Sequence, residues 1–519
     1  MTTDNLGLSA TKPAQAFEPL TVNPCKMCMP MGAITAAYGL KRCMNILHGS
    51  QGCSTYIRRH MATHYNEPID IASSSLTEHG AVYGGEENLC KGLDNLIRLY
   101  EPQIITVTTT CLAETIGEDV PQILARWRAN HPEHDVHLIP VASPGYGGTQ
   151  FEGWWRTLHA VVASVEMDAA PHNAVNVVCG PLSPADMRWL IDVFDRLGLE
   201  AIFLPDVSEN LDRGFEPHYD RLPQQGTSLE DIRRMAGARI TLELSTFVRD
   251  EDSVALYLHK HHNVPYHRMA LPLGLRATSE LLDKLTTLLG HDTSIAPEQG
   301  RDREPSLADK TVASLARERA RYLDAMVDSH KYAAAVRAVI YGEPDFVYAA
   351  TRMCVEVGIF PVVVATGSRC EQLSDLLTPE IEPVASAHIA DFYAPVQPEP
   401  VVPTPVPAPD DVQPPLLELP QSFPGAFCVR DNADFNTIEQ LAQATNANVL
   451  LGSGDGRRVA HKLGLPLVRC TFPIHDHIGG QRTRTLGYEG SLRLIDAMVN
   501  AIIEHKEATF RDDLKERYY

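Results

Sequence analysis

Residues 104–143, IITVTTTCLAETIGEDVPQILARWRANHPEHDVHLIPVAS, decide the fold class. A β-branched run from Ile104 ends at Cys111, an amphipathic stretch from Glu114 to Asn130 follows a short loop, and VHLIPVAS returns to strand-forming residues. Two parallel strands joined through a helix satisfy this order, and alternation of this kind builds a parallel sheet flanked by helices. The theme recurs downstream. AVNVVCG (174–180) passes through PLSPADMRWLIDVFDRLG to EAIFLPD (200–206), with Ser183 and Asp186 placed to cap the helix and Gly198 to stop it. RAVIYGEPDFVYAATRMCVEVGIFPVVVATG (337–367) is a third unit, and NVLLGSGDGRRVAHKLGLPLVRC (448–470) adds strand, helix and strand. The expectation is an α/β chain of three Rossmann-like, doubly wound parallel-sheet domains: 1–165, 166–300 and 301–519. Residues 395–424, dense in proline, cannot sustain helix or sheet and read as an insertion into the third.

The whole chain sets outer bounds. Its 519 residues, 44% hydrophobic and 21% charged, are those of a globular protein with a large core. A net charge of −21 repels nucleic acid, and no basic cluster offsets it. No stretch approaches the eighteen apolar residues of a membrane span, and the first twenty residues lack the charged start and apolar middle of a signal peptide, so a cytoplasmic protein is expected. Eleven cysteines in so long a chain form no disulfide framework and leave metal ligation, redox chemistry or burial.

Three cysteines stand apart by their surroundings: Cys28 in KMCMPMG, Cys53 in HGSQGC and Cys111 in TTTCLAE. A thiolate holding an iron–sulfur cluster needs amide donors and small neighbours, so that backbone can approach the sulfides. Gly49, Ser50 and Gly52 offer this around Cys53, Gly32 follows Cys28, and Cys111 ends a strand where parallel α/β sheets place their sites. Their spacing matches neither a compact ferredoxin nor a zinc site, so on the residues alone iron–sulfur, zinc and plain burial all stay open.

NPCKMCMPMGA (23–33), LHGSQGCSTY (47–56), SSSLTEHGAVYGGEENL (73–89) and TTTCLAETIGEDV (108–120) together resemble the signatures of the β subunit of nitrogenase component 1. GEPDFVYAA, TFPIHD and TLGYEGSLRLID extend the likeness over almost the whole chain. The resemblance implies that Cys28, Cys53 and Cys111 ligate half of a P-cluster-type [8Fe-7S] cluster shared with a homologous α subunit. It further implies an α2β2 heterotetramer, a complex iron–sulfur cofactor in the α subunit, electrons delivered by an ATP-dependent [4Fe-4S] iron-protein homodimer, and no catalytic residue in this chain. Tyr56 matches an aromatic on the electron path, and Tyr83 one at the surface where the iron protein docks. Retention of all three cysteines favours the catalytic branch over cofactor-assembly scaffolds, and the HGSQGC and GGEEN arrangement sets the chain apart from chlorophyllide-type reductases. Gly145, in ASPGYGG, replaces a serine that can ligate the cluster in molybdenum nitrogenase. That change, the motifs' beginning at Asn23 without a long extension, and the proline insertion point toward a nitrogenase-like methylthio-alkane reductase, with dinitrogen reduction or a cofactor-assembly scaffold as the alternatives.

Other candidates carry blander expectations. Cys25 makes C-x-x-C with Cys28 and is read as a neighbour of the cluster; Cys43 and Cys90 are placed on helix faces; Cys179, Cys354 and Cys470 are read as core. His259, His261 and His262 are expected in a solvated lead-in to a strand, and His475 and His477 in a packing motif. Gly452, Gly454 and Gly456 lack the lysine and hydroxyl residues of a phosphate loop, so nucleotide is left to the partner.

Overall fold

The computed structural model describes residues 25–215, 217, 220–290, 307–391 and 426–518. Three sheets, parallel throughout, follow one another along the chain. In the first, β1 (Cys43–His48), β2 (Ala72–Ser73), β3 (Ile104–Thr109) and β4 (His137–Val141) take the order β2-β1-β3-β4. In the second, β5 (Val175–Cys179), β6 (Ala201–Leu204), β7 (Ile240–Leu244) and β8 (Tyr266–Met269) take the order β6-β5-β7-β8. The third sets β9 (Arg337–Gly342), β10 (Phe360–Thr366), β11 (Cys428–Arg430), β12 (Val449–Gly452) and β13 (Leu467–Arg469) in the order β11-β10-β9-β12-β13. The fold is α/β and doubly wound. Every residue of β1, β3, β5, β7 and β10 is buried, as expected of strands covered on both faces.

Each sheet starts at an inner strand, winds outward to one side, then crosses back to the other. The winding reverses between β1 and β3, between β5 and β7, and between β9 and β12. Backbone loops leaving the carboxyl ends of such a pair diverge and open a crevice, which is where doubly wound sheets place their sites.

The first helices differ from the sequence expectation in one place. Cys111 opens a short helix that ends at Thr115, Gly117 at φ +80° turns the chain, and the amphipathic helix starts only at Val120, with Asp119 accepting from the Gln122 amide. The helix Pro184–Leu197 is capped by Ser183 and stopped by left-handed Gly198, as expected. Cys43 opens strand β1 rather than lying on a helix, and His259, His261 and His262 occupy the last turn of the helix Val254–His262, where its carboxyl end favours them. We propose the same three-way division of the chain, one sheet to each part. The cut expected near 300 and the proline-rich segment 395–424 lie outside the described residues, and the C-terminal helix Gly487–Tyr518 packs back onto Gly274–Leu288 of the second part.

Helix α1 (Met29–Ala37) is buried along its whole length. It crosses the helix Gln150–Ser164 at backbone contact: a Cβ on Gly32 would lie 1.8 Å from the Gln150 carbonyl oxygen, and one on Gly153 would lie 2.0 Å from that of Met29. Gly32 therefore serves this crossing rather than the space around Cys28. Gly32→Ala should cost about 1–3 kcal/mol through overpacking, read as a lowered thermal midpoint; an unchanged midpoint would show that the crossing yields without strain.

Candidate metal centre

The three cysteines come together through the winding reversal of the first sheet. After β1 the chain turns at Gly49 into α2 (Gln51–Tyr65), which puts Cys53 in its first turn; after β3, Cys111 opens the helix ending at Thr115. The two turns pack closely, because a Cβ on Gly49 would lie 2.3 Å from the Thr110 hydroxyl. Cys28 arrives from the other side as the cap residue before α1, bridged to Thr149 at the head of the crossing helix, while the Gln150 amide donates to the Met27 carbonyl.

Gly145 lies between two of the thiols. Its amide donates to Cys111 Sγ at 3.1 Å, and a Cβ on it would stand 3.2 Å from that sulfur and 3.8 Å from Cys28 Cβ. The Ser50 hydroxyl donates to Cys53 Sγ at 3.8 Å. Burial raises the Cys28 thiol pKa, the Met31 amide partly offsets this, and negative charge at Cys53 and Cys111 raises it again. Among the described residues no group of three or more His, Cys, Asp or Glu side chains converges on a single ion. A donor set of thiols alone, one of which accepts from a glycine amide, fits a polynuclear iron–sulfur core. Cys53 and Cys111 are exposed on this chain and Cys28 is half-buried, so the set is open on one side.

The other candidates disperse. Cys25 is buried beside Glu343, Asp455 and Asp434, with its carbonyl against Gly367. Tyr56 is half-exposed one turn beyond Cys53, within electrostatic reach of Cys28. Tyr83 ends a short helix, Glu78–Tyr83, and is 77% exposed. Cys179, Cys354 and Cys470 are core, whereas Cys90 is partly exposed on the helix Glu86–Tyr100. The glycines after β12 make room for a neighbour: Cβ atoms on Gly452 and Gly456 would strike the Tyr341 ring and hydroxyl.

Several contacts carried no sequence signal. Buried His48, at the end of β1, lies 3.5 Å from Glu118, which also accepts from the Gly85 amide, tying the GGEEN turn to the loop behind Cys111. On α2, His60 Nδ1 is 2.9 Å from His475 Nε2, and the other ring nitrogen of His475 is 2.8 Å from the Thr63 hydroxyl. His64, buried on the same helix, accepts at Nδ1 from the Ile474 amide. The TFPIHD segment is therefore packed onto the helix that carries Cys53.

A profile of the nitrogenase component 1 type oxidoreductases matches residues 28–503. This chain belongs to that family. It is 28% identical to the nitrogenase molybdenum-iron protein beta chain of Clostridium pasteurianum, over 95% of this chain and 96% of the relative. It is 30% identical to that of Frankia alni, over 95% and 84%, and 28% identical to the vanadium-iron protein beta chain of Trichormus variabilis, over 94% and 95%. The solved structure of nitrogenase Cp1 at pH 6.5 superimposes with a TM-score of 0.79 at 28% identity, covering 96% of each chain. No helix among the described residues is long and apolar enough to cross a membrane.

Burial, and secondarily the nearby His475, depress the His64 pKa to about 3. From pH 6.5 downward the unfolded chain binds a proton there that the folded chain refuses, so stability falls as the medium acidifies. The urea midpoint should drop between pH 6.5 and 4, and His64→Gln should flatten that slope by about one proton; an unchanged slope would remove His64 from the acid response.

Proposed function

We propose that this chain is the β subunit of the catalytic component of a nitrogenase-like reductase, with Cys28, Cys53 and Cys111 as its share of the ligands of a P-cluster-type [8Fe-7S] group. The observation that carries the reading is that Cys28 has both Cys53 and Cys111 within electrostatic reach, with the Gly145 amide donating to Cys111 Sγ. Such a group supplies one-electron chemistry at low potential. The residues of this chain hold it and set its surroundings. The thiolates bind, the Gly145 amide and Ser50 hydroxyl stabilise charge on sulfur, and the buried α1 keeps water from one side. The open side, where Cys53 and Cys111 are exposed, supports completion of the ligand set by a homologous α subunit, in an α2β2 assembly whose α chains carry the complex iron–sulfur cofactor. Tyr56 stands on the electron path toward that cofactor, and exposed Tyr83 anchors an ATP-dependent iron-protein dimer. The assembly works in the cytoplasm.

For the substrate we propose methylthio-alkanes: a thioether R–S–CH3, with two electrons and two protons, gives methanethiol and the hydrocarbon RH, and a 2-hydroxyethyl thioether, with the same two electrons and two protons, gives methanethiol, ethylene and water. Gly145 supports this choice, because no side-chain oxygen can reach the cluster from that position. Dinitrogen reduction is the second reading, favoured by the nitrogenase beta chains to which the chain is similar.

Anaerobic co-purification with the α subunit and assay with dimethyl sulfide, 2-(methylthio)ethanol and dinitrogen tests both. Methane from the first, ethylene from the second and no ammonia are expected; ammonia would overturn the thioether assignment. Cys53→Ala should abolish activity and lower bound iron while sparing the thermal midpoint, since that thiol is outside the core. Gly145→Ala brings a methyl group to 3.2 Å from Cys111 Sγ and weakens the amide contact. The cluster midpoint potential should fall, because hydrogen bonds to sulfur stabilise the reduced form; an unmoved potential would show that the amide does not reach a ligand sulfur.

A further inference from the structure

One face of α2 carries polar and reactive side chains in a row. Cys53, Tyr56, His60 and Thr63 recur at a spacing that a helix of 3.6 residues per turn places on one stripe, roughly 15 Å long. Ser54, Ile57, Met61 and His64 are buried on another side of the helix, whereas Cys53, Tyr56 and Thr63 are exposed and His60 is half-buried. The stripe starts at a candidate cluster thiol and passes Tyr56, whose ring centre is 4.3 Å from that of His60.

His475 reaches across from the TFPIHD segment to join it. His60 Nδ1 and His475 Nε2 are 2.9 Å apart, His475 Nδ1 and the Thr63 hydroxyl are 2.8 Å apart, and that hydroxyl also reaches the Arg59 carbonyl at 2.9 Å. The segment has other fastenings to hold it there: the Ile474 amide donates to His64, Phe472 stacks on Tyr65, and Asp476 accepts from Arg469. Among the described residues no third His, Cys, Asp or Glu completes a metal site with the pair.

Both rings are neutral near pH 7. Burial, with His475 and Arg59 adding to it, depresses the His60 pKa to about 4; burial, Arg457 and Arg59 lower that of His475 against the opposing charge of Asp476. A neutral imidazole has one N–H and one bare nitrogen, so two arrangements preserve both ring contacts. In the first, Thr63 donates to His475 Nδ1, His475 Nε2–H donates to His60 Nδ1, and His60 Nε2 carries a proton. In the second, Thr63 turns to the Arg59 carbonyl, His475 Nδ1–H donates to Thr63, His60 Nδ1–H donates to His475 Nε2, and His60 Nε2 is bare.

We propose that Thr63, His475 and His60 form a proton relay, which takes protons from water at Thr63 and releases them at His60 Nε2, beside Tyr56, to an acceptor in the α subunit. This role rests on the reading of the chain as the β subunit of a reductase, since thioether and dinitrogen reduction both consume protons along with electrons. One passage converts the first arrangement into the second. His60 Nε2 gives its proton to the acceptor, His60 Nδ1 takes one from His475 Nε2, His475 Nδ1 takes one from the Thr63 hydroxyl, and the Thr63 oxygen takes one from hydronium. One proton enters, one leaves, and no charge stays on the rings. Rotation of the Thr63 hydroxyl and tautomer exchange of the two rings reset the relay.

The test compares the wild type with His475→Gln, Thr63→Val and Thr63→Ser in the anaerobically assembled complex, with iron protein in excess, on dimethyl sulfide and on dinitrogen, in H2O and in D2O. Glutamine offers an amide N–H and oxygen in place of the two ring nitrogens but passes no proton on, and valine removes the hydroxyl at the entry. Each should slow product formation about tenfold or more and enlarge the deuterium effect, because proton arrival then limits the rate. Bound iron and the thermal midpoint should stay at their wild-type values, and Thr63→Ser should keep the wild-type rate. Unchanged rates in His475→Gln and Thr63→Val would overturn the relay; so would a loss shared equally by Thr63→Ser, or a loss with no change in the deuterium effect, either of which marks a fastening role. Thr63 is exposed, so the valine and serine variants decide the matter even where His475→Gln fails to fold. A wild-type complex without bound iron would instead overturn the reductase reading, and the relay with it, before any rate is compared.

Discussion

Backbone contact between α1 and the helix Gln150–Ser164, made possible by Gly32 and Gly153, fixes everything near the thiols. It holds Cys28 against Thr149, and so against the loop that presents the Gly145 amide to Cys111. Side chains larger than hydrogen at either glycine would force the helices apart and separate one thiol from the other two. The remaining geometry comes from the first sheet, whose winding reversal places Cys53 and Cys111 on adjacent turns whatever their distance in sequence.

The same winding, used three times, explains why one chain carries two chemically different crevices. The first sheet's opens on exposed sulfur, faces outward and is incomplete without a second polypeptide. The second and third sheets turn theirs toward each other and enclose a space lined by acids and aromatic rings. One is suited to soft metal shared across an interface; the other lies within the chain.

Local patterning made much of this legible. β-branched runs separated by amphipathic stretches gave the strands and helices, because propensity and burial agree where a strand is covered on both faces. Ser183 and Gly198 marked their helix correctly, since capping is a matter of a few neighbouring residues. The break at Gly117 was hidden because a helical pattern runs through it, and the role of Gly32 was misread because its contact, the Gln150 carbonyl, lies far along the chain. Cys43 opens the six-residue run CMNILH, which is too short for period alone to separate strand from helix. The pairing of His60 with His475 and the His48–Glu118 contact depend on tertiary packing and leave no trace in spacing.

The account stands on shared iron at the three cysteines. Iron-edge anomalous diffraction from crystals of the anaerobically prepared complex measures this directly. Anomalous peaks within bonding distance of the sulfur atoms of Cys28, Cys53 and Cys111, continuing into the neighbouring subunit, are the expected result. A fully assembled complex without iron density at these sulfurs would contradict it.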